Sequence, residues 1–131
     1  MLKPRILIVD DDVNLSGLVA LVLRKSGLYE VCVENRSSQA LTVAQEFRPD
    51  LVLLDVDMPG KDGGVVAAEL RSDRALRNRP IIFFTSLVSH AEAGEGGVMK
   101  DGSMYLAKPV NSNVLIRVIE RVLNGGVPAA A

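Results

Sequence analysis

Leu51-Val52-Leu53-Leu54-Asp55-Val56-Asp57-Met58-Pro59-Gly60 sets four apolar residues directly before an aspartate and closes with a Pro-Gly turn. An apolar run of this length, bounded by turn residues, reads as a strand buried on both faces. Asp55 then stands at the carboxyl edge of a sheet, where open α/β folds keep their ligand sites.

The same logic recurs at the start of the chain. Ile6-Leu7-Ile8-Val9 is a second buried strand that ends on Asp10, Asp11 and Asp12. Leu15, Leu18, Val19, Val22 and Leu23 follow at helical spacing, which predicts a helix capped by Asp12 or Asn14 and stopped at Gly27. Residues 29–33 alternate, with Tyr29, Val31 and Val33 on one face, as expected of an edge strand. A second helix is expected from Ser37, with Ala40, Val43, Ala44 and Phe47 inward, and Arg48-Pro49 ends it. A third runs from about Gly63 to Asp73 with a thin core face, Val66 and Leu70 being its clearest members.

Ile81-Ile82-Phe83-Phe84 is a fourth strand ending in Thr85-Ser86, and Met104-Tyr105-Leu106-Ala107 a fifth ending in Lys108-Pro109. Residues 89–102 hold Gly94, Gly96, Gly97 and Gly102, each costing about 1 kcal/mol inside a helix. A short turn plus loop is therefore expected there, in place of a regular fourth helix, and His90 is read as an exposed loop residue. The last helix starts at Asn111 or Ser112, turns Val114, Leu115, Val118, Ile119 and Val122 inward, and stops at Asn124-Gly125. Strands alternating with helices imply a doubly wound five-stranded parallel sheet of flavodoxin-like α/β type, in the order 2-1-3-4-5. Residues 1–125 form one domain in this reading, and 126–131 a flexible tail or the start of a linker.

The totals narrow the function. The 131 residues carry 15 basic and 16 acidic side chains, for a net charge of -1. That balance gives no support to direct nucleic-acid binding or a polybasic membrane binder. One cysteine, Cys32, excludes an internal disulfide and a thiolate-rich metal site, and its apolar run marks it as a buried structural thiol. No stretch is long enough to span a membrane, and the first residues lack a signal-peptide apolar region, so a cytoplasmic location is expected.

Four strand ends converge on one sheet edge: Asp10-Asp11, Asp55, Thr85 and Lys108. Crowded carboxylates repel unless a cation sits between them, and an all-oxygen donor set without His or Cys suits Mg²⁺, for which Mn²⁺ could substitute. A carboxylate beside such a metal can attack a phosphoryl group, while Lys108 offers a mobile positive charge and Thr85 a hydroxyl donor to its oxygens. Asp55 is the expected nucleophile.

In this order and spacing the motifs ILIVDDD, LVLLDVDMPGKDG, FFTS and YLAKP make the chain resemble the receiver domains of two-component response regulators, over nearly the whole chain to Gly125. The resemblance implies that Asp55 accepts phosphate from a phosphohistidine of a sensor histidine kinase or a histidine phosphotransfer protein. It implies that Asp11, Asp55 and the Asp57 backbone carbonyl ligate Mg²⁺, with Asp10 assisting directly or through water, and that Lys108, Thr85 and the Ser86 backbone N–H bind the phosphoryl group. Thr85 and Tyr105 would be the switch pair, and the Lys108-Pro109 bond cis. Such a protein is a signalling phosphoprotein, not an enzyme acting on others, although it assists its own phosphorylation and dephosphorylation. Its output partner or domain is unknown from the sequence, and a homodimer is compatible with the family; the glycine-rich segment lies where partners would dock.

Two other readings start from the same residues. A haloacid-dehalogenase-like phosphatase would use Asp55 as nucleophile and Asp57 as acid/base, but that motif usually opens its chain and leaves Asp10, Asp11 and Lys108 without a place. A receiver-like scaffold that is never phosphorylated would usually lack one of the acids or the lysine, and none is missing here.

Overall fold

Three strands are buried along nearly their whole length because they are flanked by others and covered on both faces: β1 (Arg5–Val9), β3 (Leu51–Leu54) and β4 (Ile81–Thr85). The computed structural model describes residues 2–85, 98–100 (backbone only), 103–108 and 111–125. The remaining elements are α1 (Val13–Lys25), β2 (Glu30–Glu34), α2 (Ala40–Phe47) after a 3₁₀ turn at Ser37–Gln39, α3 (Gly63–Ser72), β5 (Val98–Lys100), β6 (Ser103–Ala107) and α4 (Ser112–Leu123). The sheet order is β2-β1-β3-β4-β6-β5. The five parallel strands stand in the expected 2-1-3-4-5 order.

The sixth strand was not expected. Val98–Lys100 runs antiparallel to β6, with Lys100 opposite Ser103, and covers an edge that β6 would otherwise expose. The turn-plus-loop reading of 89–102 is thus corrected at 98–100; its other residues, His90 and the four glycines among them, lie outside the described residues, as does the 126–131 tail.

Alternate residues of each central strand feed opposite layers. Ile6, Ile8, Leu51, Leu53, Ile82 and Leu106 face α1 and α4, meeting Ala20, Leu23, Leu115, Val118 and Ile119. Leu7, Val9, Val52, Leu54 and Phe83 face α2 and α3, meeting Ala40, Ala44, Val66 and Leu70. Burial on both sides excludes polar residues from the strand bodies, so charge is confined to their ends.

α1 departs from its expected face at one position, Leu18; Leu23 is buried and Val19 packs against the core as expected. Asp12 is the N-cap, its carboxylate accepting from the Leu15 N–H at 3.0 Å. The buried residues are Ser16, Ala20 and Leu23, while Leu18 is 58% exposed. Small residues at 16 and 20 let the helix lie close to the sheet, and that rotates Leu18 outward. Cys32 is half-buried, not buried, because β2 is an edge strand; burial still pushes its thiol pKa up. α2 ends as expected at Arg48, which adopts a left-handed conformation (φ 55°) before Pro49.

α4 is tied to the sheet by one polar contact. The hydroxyl of buried Tyr29, just before β2, donates to Glu120 at 2.6 Å. Tyr29→Phe is expected to lower the unfolding free energy by about 1–2 kcal/mol, read from urea denaturation, while leaving the carboxyl edge of the sheet unchanged.

Candidate functional site

Asp10, Asp55 and Lys108 are each held by extension of a strand ladder. Asp55 N–H donates to the Val9 carbonyl at 2.9 Å, and Lys108 N–H to the Thr85 carbonyl at 3.0 Å, one step beyond the paired strands. Asp10 N–H reaches the Glu34 carbonyl at 3.2 Å. These bonds set Asp10, Asp55, Thr85 and Lys108 side by side on one edge.

The side chains converge as the sequence implies. Asp10, Asp11 and Asp55 each present a carboxylate oxygen within 4.8 Å of the others, Asp10 and Asp55 buried and Asp11 exposed. Lys108 Nζ sits between them, 2.6 Å from Asp10 Oδ2 and 3.5 Å from Asp55 Oδ1, over the Phe84 ring at 5.6 Å. The other Asp10 oxygen accepts from the Asp12 N–H at 2.9 Å. Thr85 is buried at the neighbouring strand tip. Ser86 and Pro109 lie outside the described residues.

Asp57 has an exposed side chain, while its backbone N–H donates to the Asp55 carboxylate. Tyr105 is half-buried and stacks on Phe83, ring centroids 5.0 Å apart at 22°. It lies on the α2/α3 side of the sheet, packed against that core.

Burial pushes the Asp55 pKa up to about 6, and the Asp10 carboxylate pushes in the same direction; Lys108 and the Asp57 amide pull against them. One lysine beside three carboxylates leaves the cluster short of positive charge. The donor set is all oxygen and already gathered, which fits a small hard dication such as Mg²⁺ better than a soft metal.

The turn after Asp55 is equally specified. Gly63 N–H donates to the Val56 carbonyl at 2.8 Å, and a Cβ on Gly63 would collide with the Asp55 carbonyl oxygen and approach Val56 Cα to 2.8 Å. Gly60 adopts φ 85°, a region other residues rarely occupy. Asp62 caps α3 by accepting from the Val65 N–H at 2.9 Å. Pro59-Gly60, and Asp62-Gly63 just after it, thus bring the chain back over Asp55.

Asn35 and Ser37 were not singled out from the sequence. They lie in the β2–α2 connection and hydrogen-bond the loops that carry the acids. Nothing periodic marks them; only a polar pair directly after an edge strand could have drawn attention.

A doubly wound parallel sheet with an acidic cluster and one lysine at its carboxyl edge places the chain among the flavodoxin-like α/β domains. The chain belongs, within that class, to the response regulator receiver domain family, whose model matches residues 6–120. It is 36% identical over 115 residues to the DNA-binding response regulator MtrA of Mycobacterium tuberculosis H37Rv, covering 88% of this chain and 48% of MtrA. It is also 36% identical over 118 residues to the sensor protein GacS of Pseudomonas syringae pv. syringae, covering 88% of this chain and 13% of GacS. The chain therefore spans about half the length of MtrA.

Among solved structures it resembles the chemotaxis protein CheY4 of Vibrio cholerae, with TM-score 0.78, 29% identity, and 92% and 98% of the two chains covered. It resembles equally the receiver domain of the sensor histidine kinase PA1611 of Pseudomonas aeruginosa PAO1, with TM-score 0.78, 28% identity, and 93% and 98% covered. That structure has a magnesium ion coordinated in its active-site cleft. This chain is a receiver of two-component signalling, and the phosphatase reading is set aside by the family match.

The raised Asp55 pKa carries a sign. Between the ordinary carboxylate value of 3.8 and about 6, the folded protein binds more protons than the unfolded chain, so stability falls as pH rises through this window. In metal-free buffer at pH 7.5, Asp55→Asn is expected to raise the unfolding free energy by about 2 kcal/mol, with the difference fading below about pH 4. Urea denaturation of both proteins across this pH range measures it.

Proposed function

We propose that this domain is a phosphorylation switch in which Asp55 accepts a phosphoryl group from a phosphohistidine of a sensor histidine kinase or histidine phosphotransfer protein. The observation that carries the reading is the convergence of three carboxylates, with Lys108 set between Asp10 and Asp55. Asp10, Asp11, Asp55 and the Asp57 backbone carbonyl would hold Mg²⁺, or Mn²⁺ in its place. The metal supplies charge neutralisation for both the carboxylate and the incoming phosphoryl group.

Asp55 must be ionised to act, and its raised pKa makes it a stronger nucleophile once deprotonated. An Asp55 carboxylate oxygen forms the new bond to phosphorus as the phosphorus–nitrogen bond to the donor histidine breaks. Lys108 then exchanges its contact with Asp10 for one with a phosphoryl oxygen, and Thr85 and Ser86 donate to the others. Thr85 and Phe83 lie on the same strand, with Phe83 stacked on Tyr105, so movement of Thr85 is felt at Tyr105. That rearrangement is the signal to an output partner or domain, and attack by water on the phosphoryl group resets it. The domain, residues 1–125, accelerates only its own gain and loss of phosphate, in the cytoplasm, with 126–131 a flexible tail or the start of a linker. Neither nucleic acid nor membrane contacts it in this reading, while a homodimer remains compatible with it.

The donor needs a surface beside Asp55. α1 begins at the acid loop and turns Leu18 (58% exposed) and Leu21 (49% exposed) to solvent, an apolar stripe suited to a helix of the donor protein.

Beryllofluoride with Mg²⁺, which adds to a carboxylate as a phosphoryl mimic, is expected to bind the wild-type domain and not Asp55→Asn. Lack of binding to wild type defeats the reading, as does turnover of p-nitrophenyl phosphate. Leu18→Ser is expected to slow transfer from a phosphohistidine protein about tenfold while leaving phosphorylation by acetyl phosphate unchanged. Stopped-time gels of the aspartyl phosphate compare the two donors.

A further inference from the structure

The β2–α2 connection holds no site residue, yet it touches both acid-bearing loops. Asn35 Nδ2 donates to the Asp10 backbone carbonyl at 2.7 Å and to the hydroxyl of buried Ser16 at 2.9 Å. Those two anchors bracket Asp11, one at the end of β1 and the other in the first turn of α1. Ser37, itself buried, donates its hydroxyl to the Pro59 carbonyl at 3.0 Å and accepts the Lys61 N–H at 3.1 Å. Those anchors bracket Gly60 in the loop that descends from Asp57.

A single residue, Arg36, separates the two clamping side chains, and it is not free to turn. Its N–H donates to Glu34 Oε2 at 2.8 Å, its guanidinium pairs with the same oxygen at 3.4 Å, and its carbonyl accepts the Gln39 N–H at 3.1 Å. The span from the Asp11 loop to the Asp57 loop is thereby set by a short, pinned piece of extended chain. We propose that Asn35 and Ser37 are positioning residues that fix the separation of these two loops and so favour Mg²⁺ over Ca²⁺ at the acid cluster.

The chemistry requires such a device. Mg²⁺ demands near-ideal octahedral geometry at about 2.0–2.1 Å, whereas Ca²⁺ accepts longer bonds and looser shells. Two of the proposed protein ligands, the Asp11 carboxylate and the Asp57 carbonyl, stand two residues beyond Val9 and Asp55, where the last ladder bond between β1 and β3 is made. Asn35 and Ser37 supply the link, as outer-shell groups do around other metal centres.

The inference rests on the Mg²⁺ reading above, and the test separates the two. Wild type, Asn35→Ala and Ser37→Ala are titrated with Mg²⁺ and with Ca²⁺ by calorimetry, alongside urea denaturation of each. Each variant is expected to raise the Mg²⁺ dissociation constant about tenfold and that of Ca²⁺ less than about threefold. A purely structural role would lower the urea midpoint without moving the Mg²⁺/Ca²⁺ ratio, and an unchanged ratio overturns the clamp alone. Failure of wild type to bind Mg²⁺ overturns the Mg²⁺ reading and the clamp with it. Should Asn35→Ala not fold, Ser37→Ala carries the same test through the second loop.

Discussion

Three carboxylates confined to one sheet edge with a single lysine are the constraint on which the structure turns. Two of the acids are buried, and the only cation among the described side chains at their centre, Lys108, is shared by Asp10 and Asp55. Burial raises the Asp55 pKa to about 6, and because the closer contact of Lys108 is with Asp10, the repulsion from Asp10 adds to that rise. The fold holds a local electrostatic conflict at the residue best placed to react. Such conflict is costly in the metal-free state and is relieved by whatever brings positive charge, which links ligand binding to stability.

The rest of the architecture keeps that conflict in place. β1, β3 and β4 are apolar along their lengths because helices cover both faces, and so the charges can emerge only at strand tips. Ladder bonds from Asp55 to Val9 and from Lys108 to Thr85 then bring the tips into register. Gly63 lets the returning chain pass against the Asp55 backbone where a side chain could not fit. Core packing and site geometry are one arrangement here, since the strands that bury the most apolar surface also aim the acids.

This is why so much was legible before any coordinates. Strands such as Leu51–Leu54 have one physical signature, an unbroken apolar run stopped by a charge, and their order follows from which strand alternates. The acids, Thr85 and Lys108 were found because they sit at those stops. Leu18 was misplaced for an equally physical reason. The apolar residues at 15, 18, 19, 22 and 23 span a wider arc of the helix than the core covers, and the covered arc centres on Ser16, Ala20 and Leu23, which leaves Leu18 outside it. β5 escaped because three residues carry too little periodicity. The dipeptide Asp101-Gly102, between the paired Lys100 and Ser103, was the available hint. Asn35 and Ser37 left no pattern at all, since their partners lie 19 to 25 residues away and are mostly backbone atoms.

The two faces of the sheet divide the labour. The layer with α1 and α4 offers Leu18 and Leu21 to solvent beside the acid loop and is pinned far from it by the Tyr29–Glu120 hydrogen bond. The layer with α2 and α3 holds the Phe83–Tyr105 stack, directly across the β4/β6 register, with Thr85 two residues along the same strand. Phe83 and Thr85 therefore point to the same face of the sheet, and Lys108 follows Ala107, the register partner of Thr85. In the proposed switch, a charge added at Asp55 would pull on Thr85 and Lys108 together, at the ends of two paired strands. The displacement can reach Tyr105 through one aromatic contact, whereas the α1 layer meets the same charge through Asp10, whose carboxylate accepts from the Asp12 N–H at the start of α1. Input on one face and readout at the other edge is what this arrangement of strands permits.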